Sequence, residues 1–164
     1  MDSIEALKSR RSIRSFQKRV IPKDVLEEIV DCGRLAASAR NIQPWKFVVV
    51  TEKKVLEKLG SICDYGSFIA NASACIVVVC EDTKYFLEDG SAATQNILVA
   101  AHSKGLGGCW VAGDKKTYAG EVLELLNAPS SIKLISLIPL GYIIKKAGSP
   151  PKKGLEEVFI WERF

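Results

Sequence analysis

The sequence has a single histidine, His102, and five cysteines, Cys32, Cys63, Cys75, Cys80 and Cys109, with no CxxC pair among them. A transition-metal site wants several imidazole or thiolate ligands gathered together, so metal chemistry is not expected. An odd number of cysteines, most of them flanked by apolar residues, reads as buried thiols and not as a disulfide frame. His102 lies in a run that reads as helix and is expected to be structural or on the surface, neither a ligand nor a base. No apolar run is long enough to span a bilayer, and the first eleven residues lack the apolar stretch of a secretory signal. A cytoplasmic protein with no membrane partner is the expectation. There is no internal repeat, low-complexity tract, zinc-finger spacing or RNP-like aromatic pattern, which makes nucleic acid a poor candidate for a partner.

What the chain does have is 48% hydrophobic and 26% charged residues over 164 positions, the balance of one globular domain with a sizeable core. The net charge of +4 is unevenly spread. Seven Lys or Arg stand against two acids in the first 23 residues, and LysLys pairs recur at 145, 146 and at 152, 153. Positive charge at both ends favours an anionic ligand held between them, although a solvated surface, nucleic acid or an acidic partner would show the same imbalance.

Asp2, with Glu5 three residues on, predicts a first helix to about Ser9. Pro22 opens a second, with Val25, Ile29, Cys32 and Ala36 as its buried stripe, stopping before Asn41. Residues 46–51 read as a strand, 53–61 as a helix with Val55, Leu56 and Leu59 inward, and 75–80 as a strand covered on both faces. A long helix of small residues is expected from Asp89 to Lys104, with Gly105 in the left-handed position beyond it. Then come a strand at 107–111, a short helix at 121–126 and a strand at 134–142. Residues 147–164 form an extended arm, rich in Pro, Gly and Lys to Gly154. The arm ends in the apolar patch Val158, Phe159, Ile160 and Trp161, which a strand added to a partner's sheet would bury.

Two constellations carry chemistry. Arg10, Arg11, Ser12 and Arg14 offer the planar bidentate donors and the hydroxyl that a phosphate prefers, though cations at a helix C-terminus also complement its dipole. Residues 38–45 group Ser38, Asn41 and Gln43 before Pro44 and Trp45. They are either a polar helix exit or a set of donors and acceptors for a ring edge with carbonyl and NH functions.

These stretches, with Gly105 to Gly113 and Lys152 to Glu157, occur in the order seen in the nitroreductase family of FMN-dependent oxidoreductases, and the chain resembles that family over nearly its whole length. The resemblance implies an α+β fold: a three-layer α/β/α sandwich with a mixed central sheet and a C-terminal strand exchanged between subunits of a homodimer. It implies that Arg10, Arg11, Ser12, Lys152 and Lys153 hold the FMN phosphate and ribityl chain. Arg14 would sit near N1 and O2 of the flavin, and Ser38, Asn41 and Gln43 would reach it from the other subunit. Trp110, Ala112 and Gly113 would pass the ring, where a backbone NH meets N5. Two departures stand out: Ala37 replaces the family's proline, and Ala112 replaces a glutamate of the better-known branch, which bears on nicotinamide preference.

The activity implied is electron transfer from NADH or NADPH to nitroaromatic, quinone or similar flat small-molecule acceptors by a ping-pong mechanism. The flavin carries the chemistry, so no catalytic side chain is needed. The minimal length leaves no room for substrate lids and implies an open, tolerant site. The alternatives are a flavin-binding storage, sensing or docking protein with little turnover and, further off, a flavin-free basic domain that binds nucleic acid or an acidic partner.

Overall fold

A computed structural model describes every residue of the chain except 146 and 149. In order, the elements are α1 (Ser3–Ser9), α2 (Lys23–Arg34), β1 (Trp45–Val50), α3 (Lys53–Ile62), β2 (Ala74–Glu81), α4 (Phe86–Ser103), β3 (Leu106–Gly108), β4 (Val111–Ala112), α5 (Ala119–Leu125), β5 (Ile132–Tyr142) and α6 (Leu155–Val158). The sheet runs β1-β2-β5-β3, with β4 also on β5. Of the LysLys pair at 145 and 146, Lys146 lies outside the described residues.

β2 is the centre. Ala74, Ile76, Val78 and Cys80 pack on one face with residues of α2 and α4, while Cys75, Val77 and Val79 pack on the other with residues of α3 and α5. Alternate side chains of a strand point to opposite faces, so a run apolar at every position needs a cover on both sides. The result is three layers: α2 and α4, the sheet, then α3 and α5. Fully burying each of the central isoleucine and valine side chains contributes roughly 1.5–3 kcal/mol.

β5 follows the same rule except at one irregularity. Val78 pairs with Ser136 but Val79 pairs with Leu134, so Ile135 is an inserted residue. The bulge turns Ile135 and Ser136 both toward α4, where Ser136 exchanges a 2.8 Å hydrogen bond with Thr94, and returns Leu134 to the opposite core. No helix among the described residues is long and apolar enough to cross a membrane.

Several boundaries differ from those the sequence suggests. The buried stripe of α2 is Leu26, Ile29 and Gly33, with Val25, Cys32 and Ala36 only half-buried at its margins. α4 begins at Phe86, because Phe86 packs against the core even though Tyr85 before it offers no side-chain cap. The strand expected at 107–111 is split. Gly108 pairs with Leu140 and Val111 with Leu137, which sets Cys109 opposite Pro139. A proline has no N–H to contribute, so the ladder lapses there.

All the ladders are antiparallel, and the only parallel pairing among the described residues is the single bridge between Ser12 and Gly108. Among the described residues the sheet of one chain is therefore not mixed, and β1 has no neighbour on its outer side. The apolar patch at 158–161 adds no strand within the chain. It follows the one-turn α6 and leaves Val158, Phe159, Ile160 and Trp161 exposed.

Ile138 has no exposed surface and lies in the strand that is paired on both sides. Ile138→Ala is expected to lower unfolding stability by about 2–5 kcal/mol, read as a drop in urea midpoint at unchanged slope.

Candidate functional site

The basic segment leaves α1 with the Arg10 N–H on the Ala6 carbonyl at 3.0 Å and then lies flat along the sheet. The Ile13 N–H donates to the Gly108 carbonyl at 3.0 Å, the Gln17 N–H to the Tyr142 carbonyl at 2.8 Å, and Phe16 bridges Ile143. This approach depends on two glycines. A Cβ at Gly107 would come 2.7 Å from the Cβ of Ile13, and one at Gly141 would come 2.7 Å from the Cβ of Phe16. With Ile13 and Phe16 buried as anchors, Arg14 between them is turned outward to solvent.

The far end of the chain comes back to this segment. Arg10, Arg11, Ser12 and Arg14 line a cavity of about 380 Å³ together with Ala147, Gly148, Pro150 and Lys152, and none of these residues is acidic. Lys145 lines an adjoining cavity with Ser12 and Arg14. Lys153 is exposed and lines neither. The Arg11 guanidinium donates to the Lys8 and Arg10 carbonyls at 2.9 and 2.8 Å, which orders it over the end of α1. The cluster thus sits over a helix end and also walls a cavity.

The second predicted group stands apart. Ser38 precedes a single 3-10 turn, Ala39–Asn41, and its hydroxyl accepts the Gln43 N–H at 3.0 Å, while the Gln43 side chain donates to the Asn41 carboxamide oxygen at 3.1 Å. Arg40, Asn41 and Gln43 all have positive φ, at 54°, 57° and 54°. Such backbone costs energy in non-glycine residues and is kept where the surroundings enforce it. The loop is closed by the Ser38–Gln43 bond and tied to α4 by Asp89, only 5% exposed, whose carboxylate accepts the Ala39 N–H at 2.9 Å. Asp89 lies near the start of α4 and His102, beside Arg10 and Arg11, near its end. Thirteen residues of helix separate them, about 20 Å. One chain therefore does not bring Ser38, Asn41 and Gln43 to the cavity at Arg10 to Arg14.

The third group lies along β5. Ala112 is exposed and sits opposite Ser136, Trp110 is 38% exposed, and Gly113 is buried. The Gly113 N–H donates to the Ile135 carbonyl at 3.1 Å and is therefore spent on the sheet. Because N–H directions alternate along a strand, the N–H of Ala112 points away from β5. The Tyr118 hydroxyl donates to the Ala112 carbonyl at 2.5 Å and holds this segment from below. Burial pushes that hydroxyl up to about 12, aided by Cys63 and Asp64, so it remains a donor at neutral pH.

Sequence reasoning missed Asp89, Tyr118 and the Thr94–Ser136 pair. An acid near a helix start and a tyrosine in a loop are ordinary in sequence. Their partners lie far along the chain, and no spacing announces them.

Four of the five cysteines are buried, and Cys32 is half-buried; all are free. Burial first, with nearby acids adding to it, pushes Cys63 to about 11 and Cys80 to about 12, and it raises Cys75 as well. These thiols are core residues and not nucleophiles. His102 exchanges a 2.8 Å hydrogen bond with Ser9. The Ser9 hydroxyl hydrogen is already given to the Glu5 carbonyl at 2.7 Å, so Nε2 of His102 carries the hydrogen and donates.

The fold and the site define a small α+β sandwich protein with a cation-lined cavity beside its sheet. The sequence profile of the Nitroreductase family matches residues 7–83 and 65–142, and the chain belongs to that family. A protein of Methanothermobacter thermautotrophicus, provisionally named NADH dehydrogenase/NAD(P)H nitroreductase, is 36% identical over 155 residues, which cover 91% of this chain and 81% of that protein. Among solved structures, an FMN-dependent nitroreductase from Clostridium difficile superposes with a TM-score of 0.91 at 28% identity, covering 98% of this chain and 99% of that one. A provisionally named nitroreductase from Desulfovibrio desulfuricans, in complex with FMN, superposes with a TM-score of 0.88 at 26% identity, covering 100% and 98%.

Burial, then Arg10 and Arg11, hold the His102 pKa below its ordinary 6.5, with Glu5 opposing them. Between the folded value and 6.5 the unfolded chain binds a proton that the folded chain does not, so stability falls as pH drops through that window. The melting temperature is expected to decline from pH 7 to pH 5, and His102→Gln should flatten the decline.

Proposed function

We propose that this chain is an FMN-dependent oxidoreductase that passes electrons from NADH or NADPH to nitroaromatic, quinone or similar conjugated acceptors, donor and acceptor taking turns at one site. The observation that carries this reading is the cavity walled by Arg10, Arg11, Ser12, Arg14 and Lys152 with no acid among its described lining residues. That donor set suits a dianionic phosphate, and solved relatives are named for FMN, which carries one. When bound, FMN supplies two-electron hydride chemistry, and the chain supplies binding, orientation and electrostatics.

In this reading Arg10, Arg11, Ser12, Lys152 and Lys153 neutralise the phosphate end. Arg14, exposed and projecting from a pinned backbone, faces the N1 and O2 side of the ring and favours the negative charge of the reduced form. The N–H toward N5 is that of Ala112, since Gly113 has used its own on Ile135. Trp110 and Gly113 shape the wall there. No general base is required of the protein, in keeping with a neutral His102 and buried thiols.

Ser38, Asn41 and Gln43 reach the flavin from a second copy, because Asp89, which ties down their loop, lies about 20 Å along α4 from His102 beside Arg10 and Arg11. Three further features support a homodimer formed by strand exchange. Leu155, Val158, Phe159, Ile160, Trp161 and Phe164 are all exposed. An apolar groove of about 710 Å³ runs between α2 and the edge strand β1, lined by Ile21, Leu26, Val30 and Val49 among others. An unpaired edge beside an apolar groove accepts an extended apolar segment, and a parallel addition to β1 would restore the mixed sheet. We assign residues 1–164 to one domain of a cytoplasmic protein, with 147–164 as the exchanged arm.

The storage, sensing or docking alternative draws on Ala112, whose methyl group presents no carboxylate to a nicotinamide. The purified protein is expected to show flavin absorption that NADH or NADPH bleaches under anaerobic conditions. A yellow protein that neither donor bleaches would favour the alternative, and a protein that stays colourless after titration with FMN would overturn both. Truncation before Leu155 should abolish the dimer and release FMN. A stable FMN-loaded monomer in sedimentation would refute strand exchange.

A further inference from the structure

A second cavity, of about 580 Å³, adjoins the phosphate cavity, and Arg14 lines both. Its wall adds Lys18, Arg19 and Lys53, with Asn71 and Ser73 between them, and no described lining residue is acidic. These cations exceed what one flavin phosphate requires, since Arg10, Arg11 and Lys152 already wall the first cavity.

The frame of this groove is built and not loose. The Gln17 backbone N–H and side chain donate to the Tyr142 and Ile143 carbonyls, each at 2.8 Å. The Ser73 hydroxyl donates to the Arg19 carbonyl at 2.6 Å, and the Arg19 guanidinium stacks 3.9 Å from the centre of the Tyr142 ring. Lys53, at the start of α3, is held by the Ala70 carbonyl at 2.5 Å and by Glu57 at 3.5 Å. The N-terminal segment and α3 thus bring Lys18, Arg19 and Lys53 to one concave surface, an arrangement that an anion would stabilise.

We infer that this groove holds the phosphate end of the reduced nicotinamide dinucleotide and selects NADPH over NADH. The inference rests on the oxidoreductase reading above, and it names what that reading leaves open, the part of the chain that recognises the donor. The nicotinamide ring stacks at the flavin beside Arg14, and the diphosphate runs outward along Arg19. The 2′-phosphate, which only NADPH carries, meets Lys18 and Lys53. A flat uncharged acceptor has no group for these cations, so the groove serves the donor half-reaction alone.

The test compares the FMN-loaded protein with its K18E and K18E/K53E variants, using NADPH, NADH and 1-benzyl-1,4-dihydronicotinamide, a hydride donor without phosphate. The double variant is expected to raise KM for NADPH about tenfold or more, and KM for NADH less. The phosphate-free donor, kcat and FMN content should stay within about twofold. Calorimetric binding of NADP⁺ should weaken in parallel and lose part of its salt dependence. Equal changes with all three donors, or unchanged KM and NADP⁺ affinity, would overturn the groove. If no donor reduces the unaltered protein, the oxidoreductase reading fails by itself. NADP⁺ calorimetry on the unaltered and variant proteins then still decides the groove, weaker binding in the double variant supporting it and equal or absent binding refuting it.

Discussion

The basic segment lies on the sheet only because the sheet has no side chains beneath it. Gly107 and Gly141 leave room for Ile13 and Phe16, and a methyl group at either position would drive into them. Once those two residues are anchored, the residues between and before them are forced outward, and the outward residues are the cations. A stretch that carries seven positive charges and two acids in its first 23 residues would otherwise repel itself into solvent. Pinned by backbone hydrogen bonds to Gly108 and Tyr142, it becomes the wall of two neighbouring clefts.

α4 is the second constraint. It spans the molecule, with Asp89 holding the loop of Ser38, Asn41 and Gln43 near one end and His102 joining Ser9 beside Arg10 and Arg11 near the other. The helix keeps the two groups apart in any single chain. In the functional reading, that separation turns a monomer with two half-sites into a dimer with two whole ones. The exposed apolar tail and the bare edge of β1 are the complementary surfaces that such a dimer would cover.

The local chemistry is consistent with a protein that positions and does not itself transform. Cys63, Cys75 and Cys80 are buried with raised pKa values, burial and the arginines beside it lower the pKa of the one histidine, and the one tyrosine near the candidate ring site braces a backbone carbonyl. The bulge at Ile135 links this bracing to the core, since it aims Ser136 at Thr94 directly opposite Ala112.

Much of this was legible in the residue order. The all-apolar run at 75–80 announces a strand covered on two faces, because no other arrangement removes every one of its side chains from water. Asp2, Pro22 and Gly105 mark helix ends through local backbone chemistry, and motif order identifies the family. Other features depend on contacts between residues far apart in the chain. Pro139 interrupts the ladder opposite Cys109, Phe86 rather than Asp89 starts α4 because the core holds it, and the N–H of Gly113 is spent on Ile135. The return of Lys152 to Arg10, the bracing by Asp89 and Tyr118, and the gathering of Lys18, Arg19 and Lys53 are of the same kind. Sequence by itself determined the elements and the chemical types available, since propensity, periodicity and capping act over a few residues. Only the tertiary structure decided which charges share a cleft and which hydrogen-bond donors remain for a ligand, because long-range packing assigns each group its partner.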